Sequence, residues 1–84
     1  MSLYQIETPF GTYARVAWTG GSSEPSGYDD PEYLALVEAY FREQQKEWLE
    51  FWGQERLPQD VEEIFLGRAR GDAWATLRAI GKVP

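Results

Sequence analysis

"DPEYLALVEAYFREQQKEWLEFWG", residues 30–53, is the longest patterned stretch of the chain, and the other segments must be read by how they can pack against it. Asp30 can cap a first helical turn with its carboxylate. Pro31 suits the first helical position, where its missing N–H is not needed, and Gly53 suits the left-handed residue that closes a helix. The spacing predicts a helix from Pro31 to about Trp52. At about 100° per residue, Tyr33, Leu34, Val37, Tyr40, Phe41, Trp48, Phe51 and Trp52 fall on one broad apolar stripe. The other side is charged, with Glu38 and Arg42, then Lys46 and Glu50, at helical pairing distance. Gln44 interrupts the stripe. The favoured reading is an amide bonded to a neighbouring backbone group or lying at a packing gap; the alternative is a polar contact in an aromatic interface.

Upstream, "YQIETPFGTYARVAW" reads as a β-hairpin. Pro9 suits the first corner of a type I turn and Gly11 the left-handed position after it, which gives a three-residue loop with Thr8 opposite Thr12. That register places Tyr4, Ile6, Thr8, Thr12, Ala14, Val16 and Trp18 on the core face, and Gln5, Glu7, Tyr13 and Arg15 on the wet face. Two strands alone are marginal, so the hairpin, spanning 3–18, needs a helix against it. "TGGSSEPSGYDD" then reads as a flexible surface loop over 19–30. A phosphate-loop reading of its first residues fails for want of a Lys and of a helix starting directly afterwards.

Downstream, a second helix is expected from Pro58 or Gln59, with Val61, Ile64 and Phe65 inward. A third is expected over Asp72–Ile80, capped by Asp72 and ended by Gly81, with Ala73, Trp74, Leu77 and Ile80 as its stripe. The order is β-β-α-α-α. The expected fold is therefore α+β: an N-terminal β-hairpin packed on one long amphipathic helix followed by two short helices, all in a single small domain over 1–84, with the helical part at 31–81.

Composition limits the chemistry. The 84 residues include neither Cys nor His, which excludes disulfides, thiolate sites and the commonest general base and metal ligand. No apolar run approaches the length needed to cross a bilayer, and a soluble cytoplasmic protein is expected. The paired carboxylates Glu43/Glu47 and Glu62/Glu63 sit on solvated helix faces with no nucleophile nearby, so acid/base catalysis is not expected. Asp29, Asp30 and Glu32 lack calcium-loop spacing and are read as helix-start residues rather than metal ligands. Neither cofactor nor metal is expected.

Formal charge is −6, distributed unevenly: residues 1–66 hold 13 carboxylates against four basic groups, and 67–84 hold one against four. Arg68, Arg70, Arg78 and Lys82 supply the late basic charge. Helix dipoles explain much of this, because acids crowd helix starts and bases crowd helix ends. One local problem is left: in a second helix continued through Gly67, Arg68 would leave from the edge of the apolar stripe. Either that helix stops or Arg68 reaches a carboxylate.

Aromatic residues, at 15% of the chain, exceed what so small a core requires. Trp and Tyr are the side chains that anchor protein interfaces. The expected function is a non-enzymatic, acidic protein-binding module, an adaptor or inhibitor of the kind carried on mobile elements. Trp48, Trp52 and Tyr40 would be its anchors, and Glu43 and Glu47, with Glu38 and Glu50, would steer it to a basic partner. Nucleic-acid mimicry is the sharper form of that reading, and a homodimer through the aromatic helix is another use of the same face. The rival reading is nucleic-acid or phosphate binding through Arg68, Arg70, Arg78 and Lys82, with Trp74 stacking on a base. An acidic chain argues against it, since nucleic-acid modules normally carry a basic face.

Overall fold

A computed structural model describes residues 5–18 and 28–83. Strands β1 (Gln5–Thr8) and β2 (Gly11–Ala14) form an antiparallel hairpin, followed by helices α1 (Pro31–Trp52) and α2 (Gln59–Ala79). The α+β character and the hairpin agree with the sequence reading. Nine residues of the loop expected over 19–30, numbers 19–27, lie outside the described residues, as does the segment considered for phosphate.

Helix α1 has the bounds its punctuation implies. The Asp30 carboxylate accepts from the backbone N–H groups of Glu32 (2.9 Å) and Tyr33 (3.4 Å), and Pro31 opens the first turn. Gly53, at φ 63°, closes the helix in the left-handed conformation. Its buried residues, Tyr33, Leu36, Val37 and Tyr40, all come from the first half. The expected apolar stripe therefore has two fates: its N-terminal half enters the core, whereas Phe51 and Trp52 are 79% and 58% exposed. Leu34, also on that stripe, is exposed, and Leu36 takes the inward place.

The two short helices expected after α1 are one helix. Chain 59–79 continues through Gly67, Gly71 and Asp72 without a break. Gly67 and Gly71 each cost the helix roughly 1 kcal/mol relative to Ala, but the stretch around them buries Ala69, Ala73, Trp74, Thr76 and Leu77. Small residues at 69 and 73, one turn apart, let α2 lie close to the rings of α1. Asp72 is not a cap: it lies in the interior of α2, and its Oδ1 accepts from the Trp18 backbone N–H at 2.7 Å. The expected stop at Gly81 is correct. The Gly81 N–H donates to the Arg78 carbonyl and the Lys82 N–H to the Leu77 carbonyl, the paired bonds of a Schellman ending. Of the residues expected inward, Ile64 and Ile80 are exposed instead.

The hairpin register also differs from expectation by one residue. Thr8 pairs with Gly11, Glu7 with Thr12, Ile6 with Tyr13 and Gln5 with Ala14, around a two-residue Pro9–Phe10 turn. A slip of one residue moves every side chain of a strand to the opposite face. Thr12 and Ala14 are accordingly exposed, and Tyr13, expected on the wet face, is buried beside Ile6. The Thr8 hydroxyl holds the turn, accepting from the Phe10 N–H and donating to the Gly11 carbonyl, both at 3.0 Å. Gly11 takes φ 128° there, which a residue with a Cβ resists.

The core joins Ile6 and Tyr13 of the hairpin to Tyr33, Leu36, Val37 and Tyr40 of α1, and to Ala69, Ala73, Trp74 and Leu77 of α2. Tyr28, Tyr33 and Trp74 meet edge to face, with centroids 5.1 to 6.2 Å apart. No helix among the described residues is long and apolar enough to cross a membrane.

Candidate functional site

Beyond the core, the second half of α1 and the first half of α2 leave a cleft of about 480 Å³. Its α1 wall is Gln44, Glu47, Trp48 and Phe51, residues that recur at helical spacing on one face. Its α2 wall, Phe65, Arg68 and Asp72, is spaced in the same way. Arg15, Ala17 and Trp18, from the segment that follows β2, form the third side.

Gly71 explains how that third side is held. A Cβ at this position would lie 2.4 Å from Trp18 Cδ2 and within 2.7 Å of two more ring atoms. The indole lies flat against the bare backbone of α2, while the Trp18 N–H is tied to Asp72 one residue further along. The tripeptide Arg70-Gly71-Asp72 is therefore a docking seat for the chain that leaves the hairpin. Burial pushes the Asp72 carboxyl above its usual range, opposed by the Trp18 N–H and by the charges of Arg15 and Arg68. Arg68 leaves α2 one turn before Asp72 and its charge is felt there, but it forms no ion pair with a carboxylate among the described residues, so the helix neither stops at this point nor gives Arg68 the partner expected of it.

At the far end of the cleft, α1 runs past the core and presents aromatic rings to solvent. Trp48 and Trp52 lie 6.2 Å apart at a tilt of 43°, and Phe51 meets Trp52 edge to face at 5.1 Å. The stretch that includes these rings, positions 46–63 at the end of α1 and the start of α2, carries Glu47, Glu50, Glu55, Asp60, Glu62 and Glu63 against Lys46 and Arg56. The aromatic end is an acidic end.

Trp48 and Glu47 line the cleft, Trp52 lies on the exposed aromatic end, and Glu43, one turn before Glu47 and outside the cleft lining, is in ion-pair reach of Arg15 at 3.9 Å. Tyr40 belongs elsewhere. It is wholly buried, and its hydroxyl accepts from the Val16 N–H at 3.2 Å and lies 2.6 Å from Thr76 Oγ1. Thr76 itself donates to the Asp72 carbonyl at 2.9 Å, which fixes the direction of the series: Val16 donates to Tyr40, Tyr40 to Thr76, and Thr76 to Asp72. Tyr40 is a stitch between three chain segments and offers no ring to a partner.

The late basic residues do not assemble. Arg68 is in the cleft wall; Arg70 is turned about 200° from it around the helix, and Arg78 is roughly 15 Å further along the axis. Lys82 Nζ contacts both Glu32 carboxylate oxygens at 2.9 Å, and the same carboxylate accepts from the Tyr13 hydroxyl. Tyr13 and Lys82 hold the Glu32 carboxyl below its usual range, while burial and that carboxylate push the Tyr13 phenol up to about 12. This clasp ties β2 and the chain end to the first turn of α1.

Two features of the site were beyond sequence reasoning. The seat of Trp18 on Gly71 depends on a contact across 53 positions, and Arg70-Gly71-Asp72 read locally as a helix start. The Gln44 side chain was noticed, and the structure leaves its Oε1 buried without a hydrogen-bond partner rather than bonded to backbone. No family model matches the chain, and comparison with curated proteins and with solved structures returns no significant match.

Proposed function

We propose that the protein is a non-enzymatic binding module that docks a basic protein partner at the outer end of α1. The observation that carries this reading is the cluster formed by half-buried Trp48 with exposed Phe51 and Trp52, continuous with the cleft and in a stretch rich in carboxylates. An aromatic group left outside the core at this density is the composition of an interface hot spot, in which rings supply the buried area and the surrounding charges select the partner. The acidic rim favours a basic surface. It disfavours a second copy of the same face, because a two-fold contact would set carboxylates against carboxylates. The dispersal of Arg68, Arg70 and Arg78 and the engagement of Lys82 with Glu32 weigh against a common anion site.

The test uses the whole chain and its Trp52→Ser variant as baits in matched affinity captures from cell extract, treated with nuclease. A stoichiometric protein retained by the wild type and lost from the variant is the expected result. Retention of nucleic acid alone, lost on nuclease treatment or on Arg68→Glu, would return the weight to the basic residues.

A further inference from the structure

We infer that the outer edge of β1 is a docking edge for an extended segment of a partner protein, added to the hairpin as a third strand. The hairpin register decides which backbone groups are available. Thr8 and Gly11 flank the two-residue turn, so Thr8–Gly11 and Ile6–Tyr13 are the pairs that exchange hydrogen bonds, and Glu7–Thr12 and Gln5–Ala14 are not. The N–H and C=O groups of Gln5 and Glu7 therefore point away from β2. Among the described residues no strand pairs with β1 on that side, and no backbone group from a turn or loop bonds to Gln5 or Glu7.

This edge borders a groove of about 400 Å³ whose other wall is Ala39, Arg42, Glu43 and Lys46, one face of α1 at helical spacing. Ile6 and Ala39 give it apolar contact. A chain entering the groove alongside β1 meets two N–H donors and two carbonyl acceptors, the requirement for strand addition. The features that close an edge are absent from β1, which holds no Pro, no Lys and no bulge. The groove shares no residue with the cleft between the helices or with the exposed rings, so this inference goes beyond the docking reading above.

Strand periodicity sets the chemistry of the occupant. Ile6 is buried while Gln5 and Glu7 are exposed, so a residue added beside Ile6 faces α1 and its two neighbours face solvent. The inward residue lies against Ile6 and Ala39 and is apolar. A cation is disfavoured there, because Arg42 and Lys46 already stand in the wall and Glu43 is within 3.9 Å of Arg15. On the outer face, Glu7 makes no ion pair among the described residues and the chain carries a formal charge of −6, so the residue beside Glu7 is Lys or Arg. The occupant alternates basic and apolar residues. A second copy of β1 does not match, since Gln5–Thr8 contains no basic residue.

The test is amide hydrogen exchange of the ¹⁵N-labelled full-length protein with the peptide acetyl-Lys-Val-Lys-Val-Lys-amide at millimolar concentration, and with its fully backbone-N-methylated analogue, which keeps the charge and loses the donors. Exchange at Gln5 and Glu7 should slow at least tenfold with the first peptide and stay unchanged with the second, while Thr12 and Ala14 on the outer edge of β2 stay unprotected. Glu7→Pro removes an N–H that the hairpin does not use and should weaken binding about tenfold; Trp52→Ser should leave it unchanged. Absence of protection, equal binding of the N-methylated peptide, or protection at Thr12 and Ala14 instead would overturn the assignment. Protection already present in the free protein and lost on dilution would do the same, by placing a second copy on the edge. Should Glu7→Pro fail to fold, the comparison of the two peptides decides.

Discussion

Two glycines in α2 look equivalent on paper and are opposite in the folded chain. Gly67 has open space where a Cβ would go, whereas a Cβ on Gly71 would meet the Trp18 ring at 2.4 Å. Gly67→Ala should therefore stabilise the protein by roughly 0.5–1 kcal/mol, through lost unfolded-state entropy and better helix propensity. Gly71→Ala should destabilise it by about 1–3 kcal/mol, the range for overpacking a fitted contact. Chemical denaturation of the two variants measures both, and a Gly71→Ala protein as stable as wild type would remove the seat assigned to Trp18. Gln44 makes the complementary case. Gln44→Leu removes an orphaned acceptor without changing the side chain's bulk, and should raise the melting temperature by several degrees for roughly 1 kcal/mol gained. A fall instead would mean that the amide has a structural partner.

Between elements, two of the polar connections that hold the hairpin and the segment after it to the helices have signatures of their own. Thr76→Val takes the acceptor from the Tyr40 hydroxyl in a closed environment and should cost about 1–3 kcal/mol. In a double-mutant cycle, Tyr40→Phe and Thr76→Val should be strongly non-additive; simple additivity would show that the series from Val16 to Asp72 does not act as a unit. The Glu32 clasp is visible through pH. Its carboxyl is held low, so its contribution is complete above the ordinary value near 4.5 and is lost as pH falls through the lower folded value. The Tyr13 phenol is held high, so its contribution is complete below 10 and is lost as pH rises toward about 12. Unfolding midpoints at pH 7, 3 and 11 should show Glu32→Gln losing less than wild type on acidification and Tyr13→Phe losing less at alkaline pH. Parallel profiles would argue against the clasp.

On the scale of the whole molecule, the helices serve two purposes over their lengths. The N-terminal half of α1 and the C-terminal half of α2 bury most of the core, and the cleft and the exposed rings lie toward the opposite halves. The core and the proposed docking surface are thereby separated along the same two elements. Replacing Phe51 and Trp52 by Ser should change stability by no more than about 0.5 kcal/mol, as for exposed positions generally, while abolishing capture of the partner. Because the acidic rim is exposed, association should also weaken as salt rises from low to physiological concentration. Insensitivity to salt would mean that the rings act without the charges.

The punctuation of α1 was legible because its causes are local: a carboxylate at Asp30, a fixed φ at Pro31 and a left-handed glycine at Gly53 act within one turn. Gly81 was legible for the same reason, and so was the general opposition of an aromatic stripe to a charged face. The hairpin was visible as an element, but its register was not. Thr8 facing Gly11 or Thr12 is equally compatible with the turn residues, and the choice is made by burying Tyr13 where its hydroxyl meets Glu32, 19 positions away. The break expected before a third helix capped by Asp72 failed on similar grounds, because local propensity counts against Gly67 and Gly71 while the tertiary structure uses the missing side chain of Gly71 to seat Trp18. The same holds for Tyr40 and Trp48, two aromatic residues on one sequence stripe: the first lies where α2 covers α1 and the second where it does not. Local chemistry thus determined α1 with both its ends, the stop at Gly81 and the presence of a hairpin, and long-range contact alone decided that α2 runs unbroken, which faces are core, which glycine is a seat and which rings stay exposed.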